Sequence, residues 1–232
     1  MRTVYVEPPA EIAVRDGLSY ALFLPAGEAV GGVVIVHGAD SAKESHFDFA
    51  RACRAAGLAA VAFDLRGHGA SPGPLDGRAL DDVATAAEVL PPGPRLVRGS
   101  SLGGWLAVVA GARMDAAGVV AICPASGDGL RRSLRAGRFD FPADVGTLQT
   151  ALAGHDELAA AAALGPRLML QHAEGDEVVP VVQSRALRDA APGSRLVEVP
   201  GGHHRSVQHD PELQAVAVRF LVRAATGAPA KS

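Results

Sequence analysis

Short, continuously apolar runs alternate along this chain with longer segments in which apolar residues recur every three or four positions. The runs at 32–36, 58–64, 95–98, 118–122, 167–171 and 195–199 predict strands, and most lack in/out alternation, the pattern of strands buried on both faces of a parallel sheet. The periodic segments at 44–56, 77–90, 102–113, 181–191 and 211–224 predict helices. Gly57 follows the first as a C-terminal cap would, and Asp210-Pro211 reads as an N-cap followed by proline at the first helical position. Turn signals at Asp16-Gly17 and Pro25-Ala26-Gly27 mark the first thirty residues as an antiparallel lead-in. The alternation predicts the α/β class: a mostly parallel central sheet with helices on both faces.

One stretch breaks this rhythm. About forty residues separate the strands expected at 118–122 and 167–171, more than a crossover helix needs, so residues 126–164 are expected to be a small cap insertion. It carries Arg131, Arg132, Arg135 and Arg138, then Phe139 and Phe141, then an alanine-rich helix at 156–164. The arginines read as a solvated helical face or as groups available to an anionic part of a substrate. The remainder of 1–225 is expected to be a single domain, with residues 226–232 a disordered tail.

Composition narrows the function classes. At 232 residues and 48% hydrophobic content the chain can bury a substantial core. A formal net charge of -3 argues against nucleic acid or a membrane surface as partner, since both call for a basic face, and leaves small molecules as the expected ligands. Cys53 and Cys123 lie in apolar segments and read as buried small hydrophobes without a disulfide. The first residues lack the apolar core of a signal peptide and no run reaches the length of a membrane span, so a cytoplasmic location is expected.

The candidate chemistry sits just after the strands, where open parallel sheets bind ligands. Residues 99–103 read Gly-Ser-Ser-Leu-Gly, a G-x-S-x-G pentapeptide between a predicted strand and a predicted helix, which places Ser101 at the apex of a sharp turn. Gly99 and Gly103 leave room for strand and helix to close around it. A serine needs a largely neutral base, which histidine supplies, and the histidine needs a carboxylate to fix its tautomer. Asp176 after the strand at 167–171, and His203 and His204 after the strand at 195–199, supply both in the order Ser, Asp, His.

His37-Gly38, Asp64-Leu65-Arg66-Gly67-His68-Gly69-Ala70-Ser71, Gly99-Ser100-Ser101-Leu102-Gly103-Gly104 and Glu174-Gly175-Asp176-Glu177-Val178-Val179-Pro180 together resemble the α/β-hydrolase fold superfamily over residues 13–225. Gly201-Gly202-His203-His204-Arg205 is similar to the histidine loop of its small single-domain serine hydrolases, the dienelactone-hydrolase-like and serine-aminopeptidase-like groups. The resemblance implies Ser101 as nucleophile, Asp176 as acid and a histidine of the last loop as base. Comparison with the Gly-Ala-Asp-His-Arg pattern of small hydrolases favours His204 over His203. It also implies an oxyanion hole of backbone N–H groups from Ala39 and Leu102. Dienelactone hydrolases carry a cysteine nucleophile where this chain has Ser101, so their activity is not implied.

Other polar residues have plainer readings. His37 is expected to shape the oxyanion loop, and Asp64 and Arg98 to be a structural ion pair or hydrogen-bonding groups. Asp40 and Lys43 read as substrate contacts or solvated surface, and His155-Asp156-Glu157 as a helix start. His203, His204, His209 and Asp210 lack a zinc-site spacing, so no metal is expected, nor an organic cofactor. The expected reaction is serine-dependent cleavage of a small carboxylic ester or thioester. A peptidase or amidase, an acyltransferase, and a non-catalytic binding protein on the same fold are the alternatives, and oligomeric state is not legible.

Overall fold

The apolar runs become strands and the periodic segments helices. The computed structural model describes residues 6–227. The first part of the chain forms β1 (Glu11–Arg15), β2 (Leu18–Phe23), β3 (Gly32–Val36), α1 (Phe47–Ala55), β4 (Ala59–Phe63), α2 (Ala79–Ala87), β5 (Arg95–Ser100), α3 (Leu102–Arg113) and β6 (Gly118–Ile122). Three helices, α4 (Gly127–Arg135), α5 (Val145–Ala153) and α6 (Glu157–Leu164), precede β7 (Leu168–Ala173), α7 (Val182–Ala190), β8 (Arg195–Val199) and α8 (Pro211–Thr226).

The eight strands form one sheet in the order β1-β2-β4-β3-β5-β6-β7-β8. The β1–β2 and β2–β4 pairs are antiparallel and all others parallel. Arg15 pairs with Leu18 across a two-residue turn whose Asp16 and Gly17 have φ of 50° and 81°, the primed-turn geometry that suits strand twist. Side chains of β3 alternate between two cores. Val34 and Val36 join Val97, Val119 and Leu170 beneath α2, α3, α6 and α7, while Val33 and Ile35 join Val120, Met169 and Phe49 against α1 and α8. Each such side chain contributes about 1.5–3 kcal/mol on full burial. α3 is apolar on every face because it is covered on every face: its first ten residues are all buried. No described helix is long and apolar enough to cross a membrane.

Several boundaries differ from the expectations. The segment 44–56 splits into a 3-10 turn, Lys43–His46, and α1. α2 starts at Ala79 rather than residue 77, and β5 runs on to Ser100 because Gly99 and Ser100 pair with β6. α8 continues through Thr226 with Gly227 as its left-handed cap, so the expected tail is corrected there, and 228–232 lie outside the described residues.

The segment between β6 and β7 is three helices rather than one. α4 is capped by Ser126, α5 by Asp144 and α6 by Asp156, each side chain accepting a bond from a backbone N–H of its own first turn. Glu157 fastens the segment to α3, accepting from Trp105 Nε1 at 3.3 Å and from Gly127 N–H at 3.2 Å. The chain between α4 and α5 docks on two other loops. Asp140 N–H donates to Asp40 Oδ1 at 3.0 Å, and Leu75 exchanges backbone bonds with Pro142 and Asp144 at 2.8 and 2.9 Å. Phe139 stacks on Phe141, the Phe141 ring meets His68 at a tilt at 4.3 Å, and His68 meets His37 at a tilt at 4.9 Å, a column running from the insertion to the end of β3.

Candidate active site

Ser101 occupies the single residue between β5 and α3, with φ 55° and ψ -117°. A β-carbon-bearing residue at positive φ is held there only by its surroundings. Its N–H donates to Ile122 O at 2.9 Å, and its carbonyl accepts from Gly104, Trp105 and Ala125. The turn can be this tight only because its flanks lack side chains. A Cβ on Gly99 would stand 1.9 Å from Gly103 O, and one on Gly103 would stand 2.4 Å from the carbonyl oxygens of Val36 and His37. The Leu102 N–H, first in α3, has no acceptor among the described residues.

The loop after β3 is held from below by buried polar groups. His37 Nδ1–H donates to Gly38 O at 2.7 Å and its Nε2 accepts the Leu65 N–H at 2.9 Å; a carbonyl can only accept and an amide only donate, which sets this tautomer. Burial pushes its pKa down to about 4, so the ring is neutral at pH 7. Asp64 Oδ1 accepts from Lys43 N–H at 2.7 Å, and Oδ2 from Lys43 Nζ at 2.7 Å and Ala70 N–H at 2.9 Å. The loop carries Ala39, whose N–H also lacks an acceptor among the described residues.

One pair of alternatives is resolved here and one expectation changes. Asp64 and Arg98 do not pair with each other: Asp64 binds Lys43, while Arg98 donates to His46 Nδ1 at 2.6 Å and Gln208 O at 3.1 Å and lies over the Phe49 ring. Both are hydrogen-bonding groups. Lys43 is buried against Asp64 and Glu44 and is not a surface or substrate contact, whereas Asp40 borders the cavity beside Ser101.

Asp176 follows β7. Its Oδ1 accepts the N–H groups of Val178 and Val179, both at 2.8 Å, and its Oδ2 accepts from His204 Nδ1 at 2.7 Å. Burial raises its pKa, but these bonds outweigh burial and hold the carboxyl below its ordinary range. With Nδ1–H directed at Asp176, the His204 Nε2 is left as the basic nitrogen. The neighbouring His203 turns into its own loop, its N–H donating to Ser206 Oγ and its Nδ1 accepting from Arg205 N–H. Arg98, through Gln208 O, ties this loop to β5.

Ser101 and His204 line one cavity of about 170 Å³ with Ala39, Asp40, Cys123 and Gln208. No hydrogen bond joins Ser101 Oγ to His204 among the described residues; catalytic contacts of this kind commonly tighten only when substrate is bound. Ser101 also borders a second cavity, of about 210 Å³, beneath α4.

Two residues of the site escaped sequence reasoning. His172 is fully buried, with Nε2–H donating to Val179 O at 2.9 Å, Nδ1 accepting from Ser184 Oγ at 2.7 Å, and Nε2 3.3 Å from Asp176 Oδ2. Its trace in the sequence is a Gln-His pair near the end of an otherwise apolar strand. Cys123 is more than a buried hydrophobe: it has φ 42°, lines the first cavity, and burial beside Asp176 pushes its thiol up to about 12. Cys123, Asp176 and His204 have ligand-type atoms within 4.8 Å of one another, the one such group among the described residues. The Asp176–His204 hydrogen bond at 2.7 Å and a neutral thiol account for that closeness without an ion. His209 and Asp210 stand apart from it, His209 bonding Asp48 and Asp210 capping α8.

A family model described as serine aminopeptidase, S33, matches residues 27–139, which include Ser101 and end before Asp176 and His204. Among solved structures, the monoacylglycerol lipase of Paleococcus ferrophilus superposes with a TM-score of 0.72 at 20% identity, covering 89% of this chain and 99% of that one. Est1E of Butyrivibrio proteoclasticus, solved with ferulic acid bound, gives 0.71 at 18% identity, covering 91% and 96%. Mouse alpha/beta hydrolase domain-containing protein 10 gives 0.69 at 20% identity, covering 94% and 99%. No curated protein matches the sequence.

Proposed function

The chain is an α/β-hydrolase-fold protein, and on that premise we propose that it is a serine hydrolase that cleaves a small carboxylic ester or thioester through an acyl-enzyme on Ser101. The observation that carries this reading is the Asp176–His204 pair, closed at 2.7 Å on the cavity that also holds Ser101 at its strained turn.

His204 Nε2 takes the Ser101 proton as Oγ attacks the acyl carbon, and the carbonyl electron pair moves onto oxygen. The N–H groups of Ala39 and Leu102, both without acceptors among the described residues, receive that oxyanion. Each such donor is typically worth about 10²–10³ in rate. The tetrahedral intermediate collapses, the leaving alkoxide or thiolate takes the proton from His204, and the acyl group stays on Oγ. Water then repeats the sequence, giving its proton to His204 and its oxygen to the acyl carbon, and Ser101 is restored. Asp176 stays ionised throughout, which its three hydrogen bonds favour. This chemistry asks for no metal and no organic cofactor. Residues 126–164 act as a cap that borders the substrate path.

The test is labelling by a fluorophosphonate probe with the adduct mapped by mass spectrometry. Labelling at Ser101 that is lost in Ser101→Ala, falls in His204→Ala and survives in His203→Ala is the expected result. A folded protein that does not label refutes the reading.

A further inference from the structure

The second cavity beside Ser101 differs in charge from the first. Leu130, Phe139 and Val179 line it together with the hydroxyl-bearing Ser126 and Ser133, and Arg132 and Arg138 complete it from the insertion; no carboxylate lines it. The first cavity, by contrast, is lined by both the Asp40 carboxylate and Arg205, so its charges offset.

Neither arginine has a carboxylate partner among the described residues. Other arginines, Arg135 and Arg205 among them, share this; what sets Arg132 and Arg138 apart is that both line one cavity that reaches Ser101 and holds no carboxylate. Arg131, one position from Arg132, pairs with Asp128 at 3.1 Å, and Arg113, Arg167 and Arg185 each hold an acidic partner on other elements. The loop holding Arg138 is also fixed in place. Phe139 stacks on Phe141, and Asp140 N–H is bonded to Asp40, so the guanidinium is presented from an anchored backbone. Two uncompensated cations on the wall of a cavity that reaches a nucleophile create a local field that draws anions toward it. Their planar, multi-donor heads match a carboxylate.

We propose that Arg132 and Arg138 form an anion subsite, so that the ester cleaved at Ser101 belongs to a molecule carrying a carboxylate on the side that fills the second cavity, with an apolar segment between that charge and the scissile bond. This deepens the hydrolase reading above and rests on it.

The experiment compares kcat/KM for matched ester pairs. In the acyl arm, 4-nitrophenyl hemiglutarate is set against its neutral methyl ester. In the leaving-group arm, the butyrate ester of 3-hydroxyphenylacetate is set against that of 3-hydroxyphenylacetamide. The expected result is a preference of about tenfold or more for the anionic member in one arm, which also identifies the side of the substrate that enters the second cavity. The preference should shrink with added salt, because the arginine heads are exposed. In the double variant Arg132→Gln, Arg138→Gln it should fall to within about twofold, while Arg135→Gln, whose side chain is outside the cavity, should keep it. Equal turnover in both arms, or a preference that survives the double variant, overturns the proposal. Fluorophosphonate labelling of the same preparations separates the two levels: labelled Ser101 without an anion preference sinks the subsite alone, and an unlabelled folded protein sinks the hydrolase reading and the subsite with it.

Discussion

Replacing Gly99 by alanine adds one methyl group and touches none of the proposed catalytic side chains, yet it should disable the site. The added Cβ would lie 1.9 Å from Gly103 O, 2.4 Å from Gly103 C and 3.0 Å from Ala107 Cβ. The first two atoms are backbone of α3, so no side chain can swing away to relieve them. Cβ atoms essentially never come nearer than 3.0 Å, so the start of α3 must lift from β5 by about 1 Å. Overpacking of this kind costs about 1–3 kcal/mol, which in a domain of this size lowers Tm by roughly 2–12 °C. Ser101 and the Leu102 N–H sit between the two glycines and move with the helix. A displacement of about 1 Å at such groups is worth about 10²-fold in rate. The assay is the second-order rate constant of fluorophosphonate labelling, taken well below the variant's own Tm, beside thermal unfolding. Gly27→Ala is the control, since nothing lies within 4 Å of its Cβ position and its φ is ordinary; it should stay within about 0.5 kcal/mol of wild type. A Gly99→Ala protein that labels and melts like wild type would refute this account of the turn.

Other expectations are narrower. Asp176→Asn removes the charge that orients His204 and should lower the labelling rate by about 10³–10⁴-fold with little change in the far-UV spectrum. Acid should weaken the fold through His37. Its folded pKa of about 4 lies below the ordinary 6.5, so between those values the unfolded chain binds the extra proton and stability falls as pH drops through that window. From pH 7 to pH 5 the loss from this one group is about 2 kcal/mol. Urea unfolding of His37→Gln, whose amide oxygen can still accept from Leu65 N–H, should show a pH dependence smaller by about that amount, and an unchanged dependence would contradict it. His68 and Asp64, the nearest titratable neighbours, push His37 in opposite directions and stay in place in that comparison.

The centre of the parallel core was readable because strands such as β3 and β6 are buried on both faces and therefore apolar throughout. The pairs 32–36 and 118–122 coincide with β3 and β6 for that reason. The insertion was harder. α4 puts four charged residues in its nine, and α5 begins behind an aspartate cap with a glycine and two threonines among its residues, so neither carries the long apolar periodicity that marked the helices of the core. That Ser101, Asp176 and His204 would come together was legible because each follows a strand and because their order resembles that of a known superfamily. His172, Cys123 and the Arg98–Gln208 link were not. Each acts through contacts between segments distant in the chain, Arg98 and Gln208 being 110 positions apart, and a single sequence does not reveal which buried polar groups will meet. The pairing of Asp64 with Lys43 rather than Arg98 belongs with them.

The three-helix insertion is interleaved with its host rather than set upon it. Its connecting segment shares backbone bonds with Leu75, donates one to the Asp40 side chain, and packs through Phe141 and His68 onto His37. The piece is thus not a module that can be exchanged at its sequence boundaries. A graft of another insertion between β6 and β7 would preserve the sheet and yet unseat the loop that presents Ala39, unless positions 40, 68 and 75 were recruited together with it. On the proposed reading, selectivity and catalytic competence are consequently coupled traits, and residues around Leu75, far from Ser101 in sequence, set the limits within which the helices of the insertion can be redesigned.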